Sequence, residues 1–349
     1  MPAEPVPTVT VVPAPPVRMR GAASPAPDEP GDVDCNSPAH WDGEALYLIN
    51  SAGHPWLLAG DAPDRMEALY RRVEFDNEVS GARWIESTWR AADGRLYGWY
   101  HNEPLGVCPG RADRHLTAPR IGAVRSDDLG ATWHDLGFVL AAPPNTDRCD
   151  TANYYFAGGI GDFCVIPDRA ADYLYFLTST YAPADQQGVA IARMAVPDRD
   201  VPTGRVWKWR DGRWNEPGLG GKVTPIFPAA VDWHRADADA FWGPSAHWNT
   251  QVERYVMLLN RAVDGDWTQE GIYASFCADL AVPTGWSEPR RILARPEIDG
   301  GPAGAFAWYP QVLGETKPET DTLASGEPRL FVRGQSRWRL RFGFAAGGS

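Results

Sequence analysis

Hydrophobic and polar positions along this chain repeat as one unit, a polar turn followed by a short strand rich in Leu, Tyr, Phe and Val. The unit recurs at residues 45–49, 95–100, 173–177, 254–259 and 329–332. Anchored on Leu46, Leu96, Leu174, Tyr255 and Leu330, the intervals are 50, 78, 81 and 75 residues, each long enough for one small sheet. Five recurring sheets predict an all-β chain folded as a five-bladed β-propeller, with four-stranded antiparallel blades around a central channel. In each blade the inner strand precedes the repeated apolar one. Inner strands are therefore expected over 36–41, 84–89, 161–166, 243–248 and 307–312. Third strands at 120–124, 188–193 and 271–275 alternate small and branched side chains, as half-buried strands do. Fourth strands are expected to begin near Trp133, Trp214 and Trp286, whose rings would pack between blades.

The propeller is expected to span residues 32–349 as a single domain. Residues 1–31, rich in Pro, Ala and Glu, predict a flexible tail. Within it, Thr8-Val9-Thr10-Val11-Val12 is the one strand-like island, placed to supply an outer strand that closes the ring.

Composition narrows the function classes. The chain has 35 Gly, 32 Pro and 16 Trp, which suits many short strands, tight turns and large aromatic wedges. Its 33 basic and 45 acidic residues leave a formal charge of -12 with no basic stripe, so nucleic acid is not an expected partner. No apolar run approaches the roughly 20 residues of a membrane span. The N-terminus has no basic start followed by an apolar core, so it does not read as a signal peptide, which favours the cytoplasm. The five cysteines, Cys35, Cys108, Cys149, Cys164 and Cys277, lack metal-type spacing and read as buried thiols. Cys108 and Cys149 lie in loop-like sequence and would pair in an exported protein. Nothing indicates an oligomeric state.

Candidate chemistry follows from the topology. Starts of inner strands and ends of second strands converge on one mouth of a propeller. Those positions supply Asp34, Asn36, Arg83, Glu86, Asp162, Trp242 and Tyr309 from the first set, and His101, Glu103, Tyr181, Asn260, Arg261 and Arg333 from the second. Arg120, at the start of a third strand, joins them. Aromatic faces suit the apolar side of a sugar ring, and amide or guanidinium groups suit its hydroxyls. Glycoside hydrolysis further needs two carboxyl groups, and Asp34, Glu86 and Asp162 are three from successive blades.

On those residues the chain resembles the five-bladed propeller glycosidases of the furanosidase type, the arabinanase, xylosidase and invertase-like group. The resemblance implies a carbohydrate substrate, Asp34 as base or nucleophile, Glu86 as general acid and Asp162 as pKa modulator, the last two exchangeable. The group usually carries Asp in blade two and Glu in blade three, the reverse of this chain. No cofactor is implied, although such channels sometimes hold a structural cation. The segment Ser126-Asp127-Asp128-Leu129-Gly130-Ala131-Thr132-Trp133 matches the Asp-box pattern found in sialidases. A sialidase-like alternative would use Arg120, Arg261 and Arg333 as an anion clamp and Tyr309 as nucleophile. A second alternative is a propeller that binds a glycan or protein without catalysis.

Overall fold

The computed structural model describes residues 5–24, 29, 31–111, 116–299 and 308–345. Five sheets succeed one another along the chain, each a meander of antiparallel strands, with a short parallel strand added at one edge of two of them. Blade one comprises Ala39–Asp42, Ala45–Ser51, Pro55–Gly60 and Leu69–Arg72. Blade two is built from Ala82–Arg90, Leu96–Glu103, Arg120–Ser126 and Thr132–Leu140. Blade three begins with Ile160–Pro167, Tyr173–Thr180 and Gly188–Ala195, then continues outward through Val206–Arg210 and Arg213–Pro217. Blade four holds Ala240–Asn249, Arg254–Ala262, Gln269–Cys277 and Arg290–Ala294. The expected five-bladed propeller is the observed one.

Blade five unites the two ends of the chain. Its inner strands are Pro310–Leu313, Arg329–Val332 and Gln335–Phe344, and its outer strand is Pro7–Arg18. The N-terminal stretch is thus not a flexible tail over residues 7–18. Branched residues from Thr8 to Val12 pair in register with the C-terminal strand, from Pro7 opposite Phe344 to Pro13 opposite Trp338. Pro15 and Pro16 fall in the bulge that follows, on a sheet edge where a missing N–H costs no ladder bond. The expected inner strand of this blade starts later than its pattern suggests, at Pro310, and residue 307 lies outside the described residues.

Apolar burial sits between blades. One cluster joins blades one and two through Ile49, Leu57, Ile85 and Trp133. Others join two to three through Trp99, Ile121, Phe163 and Phe176, three to four through Tyr175, Ile191, Met257 and Trp286, and four to five through Val256, Ile272, Leu330 and Phe342. The last joins five to one through Phe331, Leu46, Leu58 and Met19. Trp133 and Trp286 are buried in these interfaces and Trp214 packs on one, as expected, although Trp286 precedes its strand and Trp214 lies in the outermost strand of its sheet.

The turn before Trp133 is held locally. Asp128 Oδ1 accepts from the Thr132 N–H at 2.9 Å, Ser126 Oγ accepts from the Gly130 N–H at 2.9 Å, and the Trp133 indole donates to the Gly130 carbonyl at 2.9 Å. Gly130 has φ +97°, a backbone state that disfavours a side chain. Cys108 and Cys149 form a disulfide, while Cys35, Cys164 and Cys277 are buried free thiols. No helix among the described residues is long and apolar enough to cross a membrane.

Candidate active site

Two of the three predicted acids are the extra residues of β-bulges. In blade two, Ile85 pairs with Tyr100 and Ser87 with Trp99, leaving Glu86 without a partner on the neighbouring strand. In blade three, Gly161 pairs with Ser179 and Phe163 with Thr178, leaving Asp162 in the same position. A bulge breaks the two-residue alternation and re-aims the side chain it carries. Asp162 has φ +40°, and Trp267 and Tyr309, on the same cavity, have φ +64° and +54°. Strained backbone of this kind gathers where the surrounding fold over-determines a site. Asp34 enters from the segment before blade one, its N–H donating to the Ser51 carbonyl at 2.9 Å. Ser51 in turn accepts the Ile85 N–H through its hydroxyl, linking the Asp34 segment to blade two.

These acids share one cavity of about 210 Å³. Its carboxyl groups are Asp34, Glu86, Glu103 and Asp162, with His101 among them, and its aromatic wall is Trp84, Tyr155, Phe156, Trp242, Trp267, Trp308 and Tyr309. The rings brace one another: Trp242 meets Trp267 edge to face at 4.6 Å, and Trp267 stacks on Trp233 at 4.6 Å.

His101 is the hub of the acidic cluster. Its Nδ1 lies 3.1 Å from Glu86 Oε1 and 3.1 Å from the Asp162 backbone nitrogen, and its Nε2 lies 3.4 Å from Glu103 Oε1. One ring nitrogen either donates to the carboxylate or accepts from the amide, so whether Nδ1 carries a proton, as it does in the charged ring, selects which contact holds. Burial opposes that charge, but the bonds to Glu103 and Glu86 outweigh it and raise the imidazole well above its ordinary value. Gly161 admits the ring, since a Cβ there would lie 2.5 Å from His101 Cε1. Glu86 Oε2 also accepts the Phe163 N–H at 2.7 Å, so both oxygens of Glu86 are engaged.

Asp162 differs. Its oxygens accept from two phenols, Tyr181 on one side and Tyr309 at 3.3 Å on the other. Burial pushes its carboxyl up to about 7 against the pull of His101, and Glu86 adds to the push. Burial likewise raises Asp34 to about 7, with Arg333 pulling it down and Asp32 and Glu103 pushing it up. Burial holds Tyr309 and Tyr181 far above the ordinary phenol range, so both remain donors.

Of the residues expected at the mouth, Asp34, Glu86, Asp162, His101, Glu103, Trp242 and Tyr309 line the cavity, and Tyr181 stands behind Asp162. The rest are placed elsewhere. Asn36 donates to the Phe163 and Pro244 carbonyls across the channel. Arg83 turns to Asp135 and Asn77 and covers the Phe75 ring. Arg120 lies over Phe138 and bonds Asn102, and Arg261 is forked onto Asp239. Asn260 is fully buried outside the cavity wall. Arg333 pairs with Asp32 and reaches Asp34 only through its charge. Arg120, Arg261 and Arg333 therefore form no anion clamp on this cavity, since none of them lines it.

Sequence reasoning passed over Trp84, Tyr155, Phe156 and Trp267. The last three sit on loops between blades two and three and between the second and third strands of blade four, which open on the same mouth. Trp267 had a signal, a lone Trp in the polar turn Asp264-Gly265-Asp266-Trp267-Thr268. Among the described residues, Glu86, His101 and Asp162 are the group with the donor set for a cation, their ligand atoms lying within 4.8 Å of one another.

No protein-family model and no curated protein matches this chain. Solved structures do. An α-L-arabinanase from Cellvibrio cellulosa superposes with a TM-score of 0.51 at 12% identity, over 91% of this chain and 94% of that one. The catalytic domain of a GH62 α-L-arabinofuranosidase from Coprinopsis cinerea gives 0.50 at 9% identity, over 98% and 97%. A thermostable family-43 glycoside hydrolase gives 0.50 at 10% identity, over 90% of each chain. The fold is that of the glycosidase propellers. At these identities the likeness extends over nearly the whole ring of blades and speaks for architecture alone.

Proposed function

We propose that this chain is a glycoside hydrolase whose reaction takes place in the cavity beneath the blade mouth. The observation that carries the reading is the meeting of Asp34, Glu86 and Asp162, from three successive blades, on one aromatic-lined cavity. Glycosidic cleavage asks for one carboxyl that gives a proton to the leaving oxygen and one carboxylate that attacks or activates water. Ligand oxygens of Glu86 and Asp162 lie within 4.8 Å of each other, so the two carboxyls are coupled and are read as one acid and its modulator. Asp34 is then the opposing base or nucleophile. Burial raises Asp34 and Asp162 alike to about 7, so position makes the assignment: Asp162 is the proton donor, and Glu86, locked to His101 and the Phe163 N–H, modulates it. This exchanges the roles first expected of Glu86 and Asp162. The aromatic wall holds the apolar face of the ring, and the clustered carboxylates favour the positive charge that develops on it.

A screen against arabinan, fructan, xylan and galactan fragments, read by chromatography, tests the activity. Asp34→Asn and Asp162→Asn are each expected to lower turnover by about 10²- to 10⁴-fold with an unchanged circular dichroism spectrum. Full turnover in both variants would remove the reading. A fragment that binds but yields no product would mark a glycan-binding propeller, which the seven aromatic rings of the wall equally suit.

A further inference from the structure

Asp162 supplies the proton in the reading above, yet both of its oxygens already have phenol partners. Oδ2 accepts from Tyr181 and Oδ1 from Tyr309, whose hydroxyl lies 3.3 Å away. A carboxylate can accept from two phenols at once. A carboxylic acid instead donates through the oxygen that carries its proton, so the phenol beside that oxygen is placed to accept and must turn its own hydrogen elsewhere.

The surroundings decide which phenol that is. Tyr181 is fully buried, packed against Phe156 at 4.5 Å and Trp233 at 5.5 Å, and it has no place on the cavity wall. Tyr309 does line the cavity, and among the described residues its hydroxyl has Asp162 as its one hydrogen-bond partner. Its ring is fixed: Trp242 meets it edge to face at 5.5 Å, Trp308 at 6.2 Å, and Pro310, the next residue, opens the innermost strand of blade five. The hydroxyl hydrogen still turns about the C–O bond, from Asp162 toward the cavity. Burial keeps this phenol protonated, so it is a donor and not the nucleophile that the sialidase-like alternative would need.

We propose that Tyr309 relays the proton, its hydroxyl touching the leaving oxygen while Asp162 stands behind it. As the glycosidic carbon–oxygen bond breaks, its electron pair goes to the leaving oxygen, which takes the Tyr309 proton. Asp162 Oδ1 gives its own proton to the Tyr309 oxygen, and the carbon gains a bond from Asp34 or from a water that Asp34 activates. Asp162 ends as a carboxylate and Tyr309 ends neutral. The relay rests on the reading of Asp162 as the acid, and leaving-group dependence separates the two. The native, Asp162→Asn and Tyr309→Phe chains are compared by kcat/KM on fragments of arabinan, fructan, xylan and galactan, whose leaving alkoxide needs a proton, and on dinitrophenyl glycosides of the same sugars, whose leaving phenolate does not. Both variants are expected to lose about 10²- to 10⁴-fold on the fragment that the native chain cleaves and to keep nearly full rates on its dinitrophenyl counterpart. In mixtures of light and heavy water the native rate should bow with deuterium content, as two protons in flight require. A straight line overturns the relay, as does a Tyr309→Phe chain that cleaves the fragment at the native rate, or one that loses equally on both substrates. If Asp162→Asn shows the dependence and Tyr309→Phe does not, Asp162 donates directly and the acid assignment stands alone. Native rates on both substrates in Asp162→Asn, or a native chain that cleaves none of them, overturn that reading and the relay with it.

Discussion

Asp34 and Asp162 are the residues where burial and chemistry most directly oppose each other. Each carboxyl is pushed up to about 7 in the folded chain from its ordinary 3.8, so the folded state keeps protons that the unfolded state has released. The stability they contribute is therefore complete below about pH 4 and is lost as pH rises through about 7. His101, raised above its ordinary 6.5, adds to the same trend. The melting temperature is expected to fall between pH 5 and pH 8, and Asp34→Asn or Asp162→Asn should flatten that fall. A native chain equally stable at both pH values would contradict the burial argument. The acids themselves were visible from position alone, because the start of an inner strand must open on the mouth. The arginines were not: Arg83, Arg120 and Arg261 occupy equally good positions, and only the partners Asp135, Phe138 and Asp239 turn them away. Nor does alternation reveal that Glu86 and Asp162 sit on bulges, since a bulge is an exception to the pattern being read.

Among elements, the outer strand Pro7–Arg18 has the largest consequence for its length. It contributes Val9 and Val11 to the interface of blades four and five, and Val17 to that of blades five and one. Deleting residues 1–18 would bare both clusters and leave the C-terminal strand as an open edge. The truncated chain is expected to melt more than about 10 °C lower and to aggregate on concentration, as differential scanning fluorimetry and light scattering would show; an unshifted melting curve would make the strand ornamental. Strands with branched or aromatic residues, such as Tyr173–Thr180, were legible from their pattern. Loops were not. Tyr155, Phe156 and Trp267 carry no periodicity, and what positions them is the Asn153 side chain, whose bonds reach 114 residues along the chain to Trp267.

Across the whole molecule the five apolar interfaces form a closed circuit, each shared by two neighbouring blades. No blade owns a core that it could keep alone. Unfolding is expected to be a single transition, with calorimetric and van't Hoff enthalpies equal; two resolved transitions would mean that a subset of blades folds independently. The circuit closes beside the site, where Met19 donates its N–H to the Gly334 carbonyl at 2.8 Å and Arg333 pairs with Asp32, two residues before Asp34. This junction sets an order of events during synthesis. Asp34 leaves the ribosome well before the strand that fastens its segment, Gln335–Phe344. At about 5–20 residues per second, the carboxyl waits many seconds for its partner strand. A nascent chain stalled before residue 333 would lack both the partner of Asp32 and the strand that pairs with Pro7–Arg18, so the Asp34 segment would take its place on the cavity only once residues 333–344 are made.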